Sequence, residues 1–248
     1  MAKFILTAFA DEAGKSLDEQ IAALHRNHMR YIEPRMVDGV NLMDLPIERV
    51  KEIRKKLDEA GITVSSLGSP IGKYDIHDDF APHMEAFRHA LEVCHILGTT
   101  RMRMFDFFVP QEELANCRAE VLERLQAMLI EAKEAGVTLC LENESRIYSQ
   151  MPAQQKDSLE ALPEQRGVFD AAKYIMNDAD VMEGIAATLP TLEYVHIKDA
   201  SYEEKTILPA GEGDGQIGRI LRMVDEAREG DVFLTVDCLL YTSDAADD

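Results

Sequence analysis

The chain has 248 residues, with 26 Lys+Arg against 46 Asp+Glu, a formal net charge of −20, and 46% hydrophobic residues. That balance suits a folded domain with a full core and excludes a disordered acidic segment; about 250 residues is the size of one large domain such as a (β/α)₈ barrel. The acidity weighs against a strong nucleic-acid binder, since a phosphate backbone is held by clustered Lys and Arg.

Residues 4–9 form an apolar, strand-length run that stops at Asp11-Glu12, which fits a buried first strand better than a signal peptide. Ser16-Leu-Asp-Glu19 reads as a capping box and opens a helix with Ile21, Leu24 and His25 on one face. Tyr31-Ile32 is a second strand. Residues 47–60 have helical period and stop at Gly61, and 62–67 are a β-branched strand followed by Gly68, Pro70 and Gly72. A helix over 80–97 ends at Gly98. Residues 101–105 alternate as a strand, 110–135 are a long helix with a break near Asn116, and 137–141 are a strand. A helix over 156–162, a strand at 167–169, a helix over 178–189 and a strand at 192–197 follow. After a Gly-rich loop come a helix over 217–227 and a strand at 232–236.

Eight strands with a helix after each of the first seven predict an α/β fold with a parallel sheet. An open doubly wound sheet usually carries a glycine-rich phosphate loop after its first strand, but here that place reads Ala10-Asp-Glu-Ala13. The expected fold is therefore a (β/α)₈ TIM barrel. Four cysteines, Cys94, Cys117, Cys140 and Cys238, form no C-x-x-C pair, which suits a reducing cytoplasm. No apolar run approaches the ~20 residues of a membrane span.

A barrel places its chemistry at the C-terminal ends of its strands. The polar residues there are Glu33 and Arg35; Ser66, Ser69 and Lys73; Arg103 and Asp106; Glu142, Asn143 and Glu144; Asp170; His196, Lys198 and Asp199; and Asp237. A single strand-end carboxylate often only caps the next helix or faces water. Four successive strands ending in Glu142, Asp170, His196 and Asp237 are harder to account for that way. Three carboxylates and one imidazole suit one divalent ion, Mn²⁺, Mg²⁺ or Co²⁺ before Zn²⁺.

The segments Leu139-Cys-Leu-Glu-Asn-Glu144, Val168-Phe-Asp170, Tyr194-Val-His-Ile-Lys-Asp-Ala200 and Ser66-Leu-Gly-Ser-Pro-Ile-Gly-Lys73 resemble the xylose isomerase-like barrels, or sugar phosphate isomerases/epimerases. Tyr31-Ile-Glu-Pro-Arg35 and Pro209-Ala-Gly-Glu-Gly-Asp-Gly-Gln-Ile217 agree as well, so the resemblance spans nearly the whole chain. It implies a metal held by Glu142, Asp170, His196 and the strand-eight acid, where the family has Glu and this chain has Asp237. It also implies proton transfer through an enediolate, with Glu142 and Asp237 as the catalytic pair. Glu33, Arg35, Lys73, Arg103, Glu144 and Lys198 are the expected substrate-binding residues. Epimerases of the family often carry His three residues after the strand-six Asp, and here Lys173 stands there.

The expected function is a metal-dependent isomerase or epimerase of a sugar or sugar phosphate. The alternative is a metal-dependent dehydratase of an inosose or sugar acid. Remoter readings are a non-catalytic sugar-binding barrel and an abasic-site endonuclease. The last needs extra histidines for a multi-zinc cluster, whereas six of the seven lie before strand five: His25, His28, His77, His83, His89 and His95. The expected partner is a small carbohydrate, with no nucleic acid or membrane, and assembly into a homo-oligomer is left open.

The barrel domain is assigned to residues 1–237. Residues 238–248, Cys-Leu-Leu-Tyr-Thr-Ser-Asp-Ala-Ala-Asp-Asp, make no amphipathic helix and resemble a translated sequencing adapter whose junction falls inside codon 237. On that expectation the barrel is truncated before its eighth helix, and Asp237 stands where a Glu stood.

Overall fold

The computed structural model describes residues 1–237, so the adapter reading of 238–248 concerns residues outside those described. Eight strand positions are present. They are β1 (Ala2–Ala8), β2 (Tyr31–Ile32), β3 in two pieces (Thr63–Val64 and Leu67–Gly68), β4 (Arg101–Met104), β5 (Thr138–Glu142), β6 (Arg166–Asp170), β7 (Leu192–Ile197) and β8 (Gly230–Val236). Parallel ladders run from the second piece of β3 through β4, β5, β6, β7 and β8 to β1. The first piece of β3 pairs with β2, and Glu33 N–H donates to Ala8 O at 3.0 Å across the β1–β2 seam, closing the ring. The fold is the (β/α)₈ barrel that the alternating pattern predicts.

The connecting helices are α1 (Leu17–Arg26), α2 (Ile47–Glu59), α3 (Phe80–Leu97), α4 (Leu114–Glu134), α5 (Pro152–Ala161), α6 (Ala171–Met176), α7 (Val181–Thr188) and α8 (Ile217–Ala227). Their ends have local causes. Ser16 caps α1 by accepting from Glu19 N–H while Glu19 accepts from Ser16 N–H at 2.9 Å, a complete capping box. Asp79 caps α3 at its start, and Gly98, with φ +69°, ends it in the left-handed conformation.

Several elements depart from the sequence reading. His25 faces out of α1, whose buried residues are Leu17, Gln20, Ala23 and Leu24; Gln20 is held by donating to Met36 O at 2.9 Å. No break occurs at Asn116: a 3₁₀ turn at Gln111–Glu113 precedes an unbroken α4. Helix α5 starts at Pro152 rather than 156, because Pro suits the first helical turn. The short α6 was not expected, and the 178–189 helix is α7, which begins after Asp180 caps Met182 and Glu183.

The barrel interior is packed from below. Glu193 accepts from Arg101 at 2.7 Å and from Arg166 at 3.4 Å near the N-terminal ends of β4 and β6. Above this, Cys140, Val168 and Tyr194 pack with Phe233. Chemistry is thereby confined to the other mouth, where the strands end. Among the described residues no helix is long and apolar enough to cross a membrane.

Candidate active site

Strands β5 to β8 deliver four side chains to one point. His196 is in register with Asp170 on one side and Thr235 on the other, and Asp237 extends past the end of β8. One donor atom from each of Glu142, Asp170, His196 and Asp237 lies within 4.8 Å of the others, and all four residues are buried. His196 Nδ1 is 2.7 Å from Glu142 Oε1, and its Nε2 is 3.4 Å from Glu33 Oε2. Arg103 donates to Glu142 Oε2 at 2.9 Å, and Lys198 donates to both oxygens of Asp237 at 3.4 and 3.5 Å.

Asp170 does two jobs at once. Its Oδ1 accepts from Lys173 N–H at 3.2 Å and caps α6, while its Oδ2 is buried without a hydrogen-bond partner. Asn143 fixes its backbone through two bonds, donating to Asp170 O at 2.9 Å and accepting from Asp170 N–H at 3.0 Å. A buried orphan carboxylate oxygen is costly unless something binds it. Ligands at about 2.1 Å from one ion lie about 3 Å apart, and the 2.7 Å His196–Glu142 separation is of that order. The donor set fits a divalent cation, and its three carboxylates favour a hard one.

The charges respond to this crowding. Burial pushes the Asp170 carboxyl up to about 7, with the negative charges of Glu142 and Asp237 adding to the rise and Lys198 opposing it. Burial also acts on Glu142, but His196 and Arg103 outweigh it and hold that carboxyl well below the usual range. Asp237 is likewise held low by Lys198 and His196 against its burial. For His196 burial favours the neutral ring, yet Glu142 and Glu33 overcome it and push the imidazole well up.

The remaining expected site residues surround this cluster. Glu33 lies beneath it rather than at the opening, fully buried, accepting from Tyr194 Oη at 2.7 Å and Thr235 Oγ1 at 2.6 Å. Arg35 pairs with Asp11 and Glu12 at 3.0 and 3.3 Å and stacks over Phe9 at 4.4 Å. Arg103 sits between the rings of Phe9 and Phe105, 5.4 and 4.8 Å from their centroids. Lys73 and Lys173 approach Glu144 at 3.4 and 2.8 Å. Asp199 is committed to its loop: it accepts from Ala200, Gly211, Gly213 and Gly215 N–H groups. A Cβ on Gly213 would stand 2.4 Å from Ala200 O and from Asp199 Oδ1, so glycine is required there.

The Xylose isomerase-like TIM barrel family matches residues 21–236. The chain belongs to this family. No curated protein sequence matches the chain. Among solved structures, the probable 3-DHS dehydratase AsbF, involved in petrobactin synthesis, from Bacillus anthracis superposes with TM-score 0.76 at 14% identity, over 100% of this chain and 95% of its own. A xylose isomerase-like TIM barrel protein from Mycobacterium smegmatis in complex with magnesium gives 0.73 at 18%, over 97% and 90%. An L-ribulose 3-epimerase gives 0.68 at 20%, over 100% and 86%. At these identities the likeness establishes the fold.

In this xylose isomerase-like barrel, sequence reasoning passed over several residues that support the site from below or beside it. Tyr194 and Thr235 lie two residues before His196 and Asp237, so the strand period already placed them on the same inward face. Asp11 and Glu12, in the sequence the stop of the first apolar run and the place where a phosphate loop would carry glycines, hold Arg35. Phe9 and Phe105, each adjoining the end of a strand, are the rings over which Arg35 and Arg103 stack.

Proposed function

We propose that this chain is a divalent-metal-dependent isomerase or epimerase of a sugar or sugar phosphate, acting by proton transfer next to a carbonyl. The observation that carries this reading is the buried convergence of Glu142, Asp170, His196 and Asp237 at the barrel mouth, with one Asp170 oxygen lacking any hydrogen-bond partner. These four residues would hold the ion, Mn²⁺, Mg²⁺ or Co²⁺ before Zn²⁺. When bound, it would supply Lewis-acid polarisation of the substrate carbonyl and orient the neighbouring hydroxyl.

The protein's own groups divide the proton work. Glu142, kept ionised by His196 and Arg103, takes the proton alpha to the carbonyl and leaves an enediolate. Asp237, held ionised beside the Lys198 ammonium, takes a proton from that ammonium and returns it to the neighbouring carbon or to the opposite face. Glu33 positions His196 from below and is a positioning residue. Arg35, Lys73, Lys173 and Lys198 line the mouth as donors for hydroxyls or a phosphate, exchanging part of their carboxylate contacts for substrate. The partner on this reading is a small carbohydrate, and the setting is cytoplasmic.

The test is solvent exchange. Substrates from a panel of sugars and sugar phosphates, incubated in D₂O with Mn²⁺, should take up deuterium at one carbon. Exchange that persists after chelation, or turnover that survives Glu142→Gln, would reject the assignment. A second reading, dehydration of an inosose or sugar acid, shares the first proton removal. It is favoured by Lys198, whose ammonium lies beside Asp237 and offers a proton to a departing hydroxyl. A product lighter than the substrate by one water would select it.

A further inference from the structure

Outside the barrel mouth a second group of unlike donors converges. Glu113, the last residue of the 3₁₀ turn and the N-cap of α4, and Cys117 in the first turn of α4 are four residues apart, which brings their side chains to one side of the helix start. His77 reaches them from the segment that follows β3. His77 Nε2 is 2.9 Å from Glu113 Oε2, Cys117 Sγ is 3.9 Å from the same oxygen, and the three donor atoms all lie within 4.8 Å of one another. His77 N–H donates to Asp75 Oδ1 at 2.9 Å, which fixes the backbone that carries the imidazole. Among the described residues, this is the one group of that compactness besides the barrel cluster.

We propose that Cys117, His77 and Glu113 form a second cation site, selective for Zn²⁺ and separate from the catalytic centre. A thiol, an imidazole and a carboxylate are the borderline-to-soft mixture that zinc takes, in contrast to the oxygen-rich set at the barrel mouth. The exposure pattern fits an open coordination position: Cys117 is buried, whereas the His77 side chain is 56% exposed, so a fourth ligand, a water, would reach the ion from the solvent side. On binding, the ion replaces the thiol proton of Cys117, which passes to water; His77 contributes a neutral nitrogen and Glu113 an ionised oxygen. The bound ion would tie the segment after β3 to α4. That segment begins close to Lys73, so the clip would steady the loop that brings this lysine to Glu144.

The test uses the full chain titrated with Co²⁺ and Zn²⁺. Co²⁺ should give a thiolate-to-metal charge-transfer band in the near ultraviolet, which an oxygen- and imidazole-ligated ion at the barrel mouth cannot give. The band should persist in Glu142→Gln, disappear in Cys117→Ser, and in His77→Gln require at least about tenfold more Co²⁺. His77 is on the surface, so its variant keeps the question answerable even if the buried Cys117→Ser fails to fold. Zn²⁺ should also protect Cys117 from alkylation. No band in the unaltered chain, a band undiminished by His77→Gln, or alkylation at equal rates with and without Zn²⁺ would overturn the proposal. Each readout is independent of catalysis, so its failure is distinguishable from failure of the proposed activity.

Discussion

Arg103 on β4 donates to Glu142 on β5 at 2.9 Å, and both side chains are almost wholly buried. The guanidinium, with His196 and Lys173, is one of the three positive charges that hold the Glu142 carboxyl well below its usual range against the effect of burial. Removing it takes away a lowering cause, so Glu142 should protonate at higher pH. In Arg103→Gln the acid limb of the pH profile of kcat/KM should shift upward and the rate at neutral pH should fall by about a hundredfold. Breaking a buried pair also costs about 3–5 kcal/mol of stability. Arg103→Lys, which keeps the charge but loses the planar fork, should fall between the two. A pH profile identical to that of the unaltered chain would reject this role.

Asp106 should make the fold sensitive to alkali. Its Oδ1 accepts from Ser149 N–H and Oγ at 3.0 and 2.9 Å, but burial outweighs these bonds and pushes the carboxyl up to about 7. A folded-state value raised above the unfolded one means its stabilising contribution is complete below about 4 and is lost as pH rises through about 7. Melting temperatures of the unaltered chain should drop between about pH 4 and 7 and level off above that. Asp106→Asn, which keeps an acceptor for Ser149 without the charge, should flatten that drop. Parallel pH–melting curves for the two proteins would contradict the assignment.

Asp237 is one methylene shorter than the Glu that the family resemblance implies at this position. Asp237→Glu should then improve both metal affinity and turnover. A misplacement of about 1 Å at a reacting centre costs about a hundredfold, so a gain of at least about tenfold is expected. Isothermal titration with Mn²⁺ and steady-state kinetics would measure it, and a loss on both would count against the proposal.

The loop after β7 depends on Asp199 and its glycines. Gly213→Ala forces a Cβ into the Ala200 carbonyl and the Asp199 carboxylate, and Asp199→Asn replaces an acceptor with an amide that faces N–H donors. Both variants should raise KM more than they lower kcat, and both should make residues 201–216 more readily cut in limited proteolysis. Unchanged cleavage would show that the loop is held by something else.

Much of the fold was legible because barrel strands and their helices carry local signals. The capping box at Ser16 and Glu19, the glycine after α3, and the apolar runs of β5 and β7 each depend on neighbours in sequence. The four cluster residues were legible for a related reason: each is the polar residue that ends an apolar strand. What escaped depends on distant partners. Helix α6 was missed because its cap, Asp170, was read as a ligand alone, although one oxygen can cap while the other faces the cluster. His25 was placed inward by period, but Ala60 O offers its ring a partner at the surface. The Arg103–Glu142 and Tyr194–Glu33 bonds join residues 39 and 161 positions apart, and only closure of the ring creates them.

The Asp199 carboxylate stores the geometry of a whole loop in one side chain. Ala200 and three alternate glycines, 211, 213 and 215, all donate to it, while Glu212 and Asp214 between them are not among its donors. A barrel built this way separates the anchoring of a loop from its vocabulary. Asp214 braces the loop by accepting from Tyr202 N–H at 2.7 Å, so Glu212 is the intervening position that can be rewritten, and a different ligand met at the mouth, without disturbing the strand beneath.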